Sequence, residues 1–291
     1  MGEIHLLTFA GQKCQVIRPH EAPVNSLSLC YDGQLTVASC SDNGDVVMTF
    51  VSSEEIKETN YQFDLPIRVV CMEESNLAKH KQCFIAGTSN GALIYRRHGW
   101  LKKKTVILSP GSGFPVLDIK WRGSYVAWAE GGYVKVMDID TKTAICRVNM
   151  PSGLVPEDLL PCKLFFQSDH EIIIPWGSCL RILRLERDSL AGGGGASGNS
   201  NPYEGNVRAS IATEWYVDSI LCAAYPFDQD HLLTVTYLPP SPPKGVLQEE
   251  EEGSVDGDNG GLEAKEQRES DNGDGTDDGA EVEVSLTHTQ T

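Results

Sequence analysis

An all-β fold of propeller type is what this sequence predicts, from one well-marked repeat unit and two periodicities that agree with it. The unit is Val116–Asn149, VLDIKWRGSYVAWAEGGYVKVMDIDTKTAICRVN, which divides into segments Val116–Trp121, Tyr125–Ala129, Tyr133–Ile139 and Ala144–Asn149. Each segment is rich in β-branched and aromatic residues, and each break carries Gly, Asp or Thr, the composition of short strands joined by turns. The Gly131-Gly132 pair suits the positive φ angles of a two-residue hairpin. Four antiparallel strands in about 35–45 residues is the size of one propeller blade. Matching hairpin glycines stand at 44, 91, 131 and 177, spaced 47, 40 and 46. First strands begin near 24, 67, 116 and 162, spaced 43, 49 and 46. Two markers with one period predict a WD-type repeat.

Taken in order, Gly2–Arg18 reads as a hairpin, Ile4–Phe9 and Cys14–Arg18 about a turn at Ala10-Gly11-Gln12, and supplies the last two strands of a blade. Val24–Val51 follows, with Asn43-Gly44 as the strongest hairpin signal in the chain. Ile67–Leu108 repeats the scheme with a hairpin at Asn90-Gly91, then comes the unit above, then Cys162–Leu185 with a turn at Gly177-Ser178. Residues 188–207 break the pattern: Ala191–Ser200, AGGGGASGNS, buries no apolar area and reads as a loop insertion. Pattern returns in ATEWYVDSILCAAYPF and HLLTVTYL, two more blade strands. Pro239–Pro243 is a stiff exit. Beyond it, Lys244–Thr291 is acidic and lacks aromatics, a composition expected to be disordered. The expected organisation is therefore a propeller over residues 1–238 and a Pro-rich exit with an acidic tail over 239–291. It contains about four full blades and two half blades. The halves either close a five-bladed ring or leave an open arc with unpaired strand edges.

Charge and cysteine usage narrow the function. Of the formal charge of −17, Lys244–Thr291 carries fifteen acidic and three basic residues, so the body is only weakly acidic. Such a body has no field suited to nucleic acid. The nine cysteines are scattered with no CxxC pair and read as reduced, buried thiols of a cytosolic protein. No apolar run approaches the length of about 18 residues that a membrane span needs, so membrane association is expected to be peripheral.

Nothing in the sequence has the form of a catalytic or cofactor motif. Gly192–Gly195 lacks the Lys and Ser/Thr of a phosphate loop. Asp256–Gly261 has Gly260 and Gln267 where a calcium loop needs Asp or Asn and a bidentate Glu. Asp138 and Asp140 with Thr141 read as a hairpin cap. No His spacing suits a metal and no GxSxG elbow is present, so neither enzyme nor cofactor is expected. The one basic cluster is YRRHGWLKKK, where Arg96, Arg97, Trp100, Lys102, Lys103 and Lys104 are candidate contacts for an acidic partner or anionic headgroups. Its bland reading is a solvated strand-to-strand turn.

The segments FDLPIRVV (63–70), LDIKWRGSYVAWAEGGYVKVMDI (117–139), LPCKLFF (160–166), IIIPWGSCLRI (172–182) and ATEWYVDSILCA (212–223) resemble, in this order, the N-terminal propeller of the vacuolar protein sorting-associated protein 41 family. The resemblance covers roughly Gly2 to Leu238 and is most specific around Trp121–Ala129. It implies a non-catalytic scaffold of a HOPS-type tethering subunit, acting in vesicle docking and fusion at the late endosome and the vacuole or lysosome. The implied partners are the other HOPS subunits, a late-endosomal Rab GTPase and a vesicle adaptor complex. Such family members continue into an α-solenoid and a RING-type zinc domain, neither of which has a counterpart in this sequence. On that ground an incomplete propeller, cut from a longer gene product, is the expected state. The rival expectations are a WD scaffold of another complex, such as a ubiquitin-ligase substrate receptor, and a propeller hydrolase. The latter would need polar residues converging on a central channel, where the first strands offer LSL, VVC, DIK and KLF.

Overall fold

The computed structural model describes residues 2–8, 10–31, 33–52, 55–73, 83–97, 104–152, 162–187, 207–217, 220–226, 231–237 and 282–288. Among them every regular element is a strand. The first sheet pairs β1 (Gly2–Leu7) with β2 (Lys13–His20). Four sheets of four antiparallel strands follow. They are β3 (Val24–Tyr31), β4 (Leu35–Ser41), β5 (Asp45–Val51), β6 (Ile56–Gln62); β7 (Ile67–Cys71), β8 (Phe84–Thr88), β9 (Leu93–Arg97), β10 (Lys104–Ser109); β11 (Val116–Arg122), β12 (Tyr125–Glu130), β13 (Tyr133–Asp138), β14 (Thr143–Asn149); and β15 (Phe165–Phe166), β16 (Glu171–Trp176), β17 (Cys179–Arg187), β18 (Val207–Tyr216). The last sheet is three-stranded, β19 (Ile220–Pro226), β20 (His231–Tyr237) and β21 (Val282–His288).

Each full sheet runs in sequence order from inner to outer strand, and in each of them a short turn joins the second strand to the third. Trp176 pairs with Cys179 and Glu130 with Tyr133 across two-residue turns. Gly44, Gly91, Gly131 and Gly177 all hold positive φ there, at 87°, 87°, 47° and 58°. These are the four glycines that set the repeat. Asp138 caps its turn as its sequence context suggests: its Oδ1 accepts the Asp140 and Thr141 amides at 2.9 and 3.1 Å.

The core lies between sheets, and strand periodicity divides it. On β12, Val126 and Trp128 pack toward the β7–β10 sheet, whereas Ala127 and Ala129 pack toward the β15–β18 sheet. On β16, Ile172 and Ile174 join that same cluster while Ile173 faces β19–β20. A strand buried on both faces must be apolar at every position, which is why YVAWA and EIIIPW show no polar alternation. The pattern is that of blades stacked face to face, each covering the next.

Two strands differ from the sequence reading. Ile56–Gln62, IKETNYQ, is the outermost strand of its sheet, and its polar centre carries no strand signal. ATEWY does not begin the last blade. Instead it belongs to β18, the outer strand of the β15–β18 sheet, where Arg187 pairs with Val207. The Gly-rich insertion therefore leaves and re-enters one ladder at adjacent positions, as a surface insertion can do without disturbing a blade. Within the tail, Val282–His288 pairs with β20 from Tyr237↔Val282 to His231↔His288. The Gly-rich loop and the rest of the tail lie outside the described residues.

Between the two possible arrangements, the structure has the open one. The first strands β7 and β11 bury residues on both faces. On β3, however, Leu27, Leu29 and Tyr31 are 48%, 63% and 69% exposed. A closed ring would cover that face. Among the described residues the blades form an open arc.

Candidate interaction surfaces

Adjacent blades are held by polar bonds as well as by apolar packing. Asn25 Nδ2 donates to Asp42 Oδ1 and to the Ile67 carbonyl, both at 2.8 Å, and Arg68 closes on the same carboxylate at 2.9 Å. Glu130, fully buried, accepts from Ser112 Oγ at 2.6 Å and pairs with Lys135 Nζ at 2.6 Å, with Trp128 Nε1 at 3.3 Å. It ties the β10–β11 link to the third full sheet. A buried carboxylate with three donors in place is a structural joint, and the lysine stacked on the Tyr133 and Trp128 rings completes it.

Asp118 is the second buried carboxylate. Its Oδ2 accepts the Leu164 amide at 2.7 Å, fastening β11 to the segment that leads into β15. Burial pushes its carboxyl above the ordinary aspartate range, partly offset by Lys120 and by the Leu164 bond. The folded chain thus holds this proton to higher pH than the unfolded chain does. Its contribution to stability falls as pH rises from the ordinary range through the raised value, and the charged form then remains a cost. Asp118→Asn keeps an acceptor and removes the charge, so urea titrations should show equal or greater stability at neutral pH and a flatter pH profile. Asp118→Ala strands the Leu164 amide and should cost about 1–3 kcal/mol.

Burial holds several of the thiols in their protonated form. Burial pushes Cys40 up to about 12 and Cys146 to about 11. The eight cysteines whose side chains are described are free, and five of them are buried. Among the described residues, no group of His, Cys, Asp and Glu could hold a metal ion, and no helix is long and apolar enough to cross a membrane.

The basic cluster is only partly within view. Arg96 sits on β9 opposite Thr105, donates to the Thr105 hydroxyl, and lies 5.3 Å above the Tyr61 ring. This packing assigns Arg96 to the seam between two blades and leaves the rest of the cluster as the candidate contact. Arg97 and Lys104 are paired in the β9–β10 ladder and flank the connection, whereas Trp100, Lys102 and Lys103 lie outside the described residues.

Two further surfaces are absent from a residue-by-residue reading of the sequence. One is a groove of about 410 Å³ between the outer strands β14 and β18, with Met150, Leu183, Ala209 and Ile211 between Arg147 and Arg181. It forms from strands of two different sheets, so no local motif announces it. The other is the uncovered face of β3. Its opposite face is polar: Ser28 Oγ accepts the Met72 amide at 2.9 Å and Ser26 Oγ accepts the Val70 amide at 3.4 Å. The apolar side of β3 is the one turned to solvent.

The comparisons with known proteins agree with this architecture. A family model described as Vps42 beta-propeller (Beta-prop_Vps41) matches residues 1–255. The vacuolar protein sorting-associated protein 41 homolog of Arabidopsis thaliana is 30% identical over 242 residues, 82% of this chain and 24% of that protein. The Homo sapiens homolog is 29% identical over 64% of this chain and 21% of its own length, and the Saccharomyces cerevisiae protein is 22% identical over 73% and 23%. The chain thus spans about a quarter of the length of these relatives. Among solved structures, the Cps50 (Swd1) β-propeller domain of Myceliophteria thermophila superimposes with a TM-score of 0.57 at 13% identity, covering 81% of this chain and 73% of that one. The Neurospora crassa Pan2 WD40 domain gives 0.51 at 12% identity over 80% and 66%. At such identities these two show a shared propeller fold, of which this chain forms an arc.

Proposed function

Because this chain belongs to the vacuolar protein sorting-associated protein 41 family, we propose that it is a non-catalytic interaction module of a HOPS-type tethering subunit in protein sorting to the vacuole or lysosome. The observation that carries the reading is the family match across residues 1–255, laid on a propeller whose buried carboxylates Glu130 and Asp118 both serve to join blades. A stack of blades is a rigid platform, and its loops and inter-blade grooves are what it offers to partners. The partners are the other tethering subunits, a late-endosomal Rab GTPase and a vesicle adaptor complex, met on the cytosolic face of late endosomes and of the vacuole or lysosome by peripheral association. The β9–β10 connection, with Arg97, Trp100, Lys102, Lys103 and Lys104, is the proposed contact for an acidic partner surface or headgroups.

The test is capture of purified tethering subunits, GTP-loaded late-endosomal Rab and adaptor by the immobilised full chain. At least one of them should be retained, and Lys102→Glu with Lys103→Glu should weaken an electrostatic contact at least about tenfold at low salt. Retention of none of them, with ubiquitin-ligase subunits retained in their place, would transfer the protein to the rival scaffold class.

A further inference from the structure

The two ends of the arc are complementary halves of one blade. β1 and β2 precede β3 through a short link, as β5 and β6 precede β7, so they are the third and fourth strands of a sheet that lacks its inner pair among the described residues. At the other end, β19 packs on β15 and β16 as β7 packs on β3 and β4, so β19–β20 are an inner pair. Two strands and two strands make the four of every full sheet.

The face that such an inner pair would cover is the bare one. Leu27, Leu29 and Tyr31 project from β3 at every second position while Ser26 and Ser28 are turned inward against β7. β1–β2 covers the sheet beneath it from β6 as far as the first residue of β3, where Ile4 and Ile17 pack on Val37 with Val24, Leu35, Val51 and Ile56, and stops short of Leu27, Leu29 and Tyr31. Among the described residues the stripe is left open beside an edge of β1 that pairs with no strand. An open apolar face next to a free strand edge accepts a strand pair.

In the last sheet the third-strand position is filled, but by a strand of different origin. In the four full sheets, third strands follow second strands through short turns. β21 instead follows β20 only after residues 238–281, and among the described residues it carries no fourth strand. It holds the edge of β20 across seven paired residues. That is the edge to which β1 would pair in a completed blade.

We propose that the Leu27–Leu29–Tyr31 face and the β1 edge form a docking site for the β19–β20 pair of a second copy of this chain, and that β21 restrains this head-to-tail association by occupying the β20 edge. The interface is heterologous, so copies add in sequence unless the rotation closes a ring. A second copy is favoured over closure within one chain because the β3 face stays open although β19–β20 belongs to the same molecule.

The experiment is sedimentation velocity and light scattering from about 1 to 100 μM on the full chain, on a chain lacking 282–291, and on full-length Val284→Pro, which breaks the β21 ladder without shortening the protein. The full chain should be monomeric. Both variants should keep the wild-type circular dichroism spectrum and show a weight-average mass rising at least about twofold with concentration. Leu29→Glu, placed on an exposed side chain, should return each of them to monomer. If Val284→Pro stays folded and monomeric throughout, or if Leu29→Glu leaves its association unchanged, the proposal is wrong. A monomeric variant in which the β3 face becomes protected would mean closure within one chain, which also overturns it.

Discussion

Trp121→Ala should destabilise the chain by about 3–5 kcal/mol, the upper range for truncating a buried aromatic side chain. Trp121 is 1% exposed at the end of β11, and it joins Val69, Ile85, Ile119 and Val126 between two full sheets. Its Nε1 donates to the Gly123 carbonyl at 2.9 Å, and its ring meets the Tyr95 ring edge-on at 5.6 Å. Alanine leaves a cavity that β-strands locked in two ladders cannot close, and it removes the indole bond to the turn as well. Urea denaturation should show a large fall in midpoint, with Leu29→Ala as a surface control within about 0.5 kcal/mol of wild type. A loss below about 1 kcal/mol would mean that the seam between these sheets is not tightly packed.

Gly44→Ala should cost about 2–4 kcal/mol, from two sources that act together. The residue holds φ +87°, a region that alanine enters at a cost of about 1–2 kcal/mol. An added Cβ would also stand 2.2 Å from the Phe63 carbonyl oxygen, which is backbone and cannot swing away. That oxygen belongs to the link toward the next blade, and Phe63 in turn donates its amide to the Gly44 carbonyl at 3.0 Å. Gly123 separates the two effects. It has φ +55° with nothing within 4 Å of the added carbon, so Gly123→Ala should cost only about 1–2 kcal/mol. Urea titrations of the two variants make the comparison, and equal losses would show that the close approach at Gly44 is relieved by relaxation.

What the sequence reveals of this molecule follows from how local each determinant is. Hairpin glycines and apolar first strands are local, and the strands of Val116–Asn149 fall within a residue or two of their expected limits. IKETNYQ carries no such signal because an outermost strand faces solvent on one side and needs no apolar run. The assignment of ATEWY to β18 depends on pairing across the Gly-rich insertion, which periodicity cannot see. The inter-blade joints are less legible still. Asp118 meets Leu164, and Asn25 meets Ile67, over separations of 46 and 42 residues. The basic cluster could be read as charge, but the seat of Arg96 on Tyr61 of the preceding sheet could not. The bare stripe on β3 illustrates the same limit. LSLCY alternates as any strand does, and only the packed sheets reveal that its serines are the buried side.

Among the described residues the blades form an open arc whose first full sheet has an uncovered apolar face. Thiol labelling of Leu29→Cys in the full chain at low micromolar concentration, mapped by peptide mass spectrometry, tests it most directly. Cys14 is exposed and Cys40 is fully buried, so the protein carries its own fast and slow standards. An open arc requires the introduced thiol to react at a rate close to that of Cys14 under native conditions. Protection of that thiol to the level of Cys40, released only on unfolding, would mean that the face is covered and the ring closed.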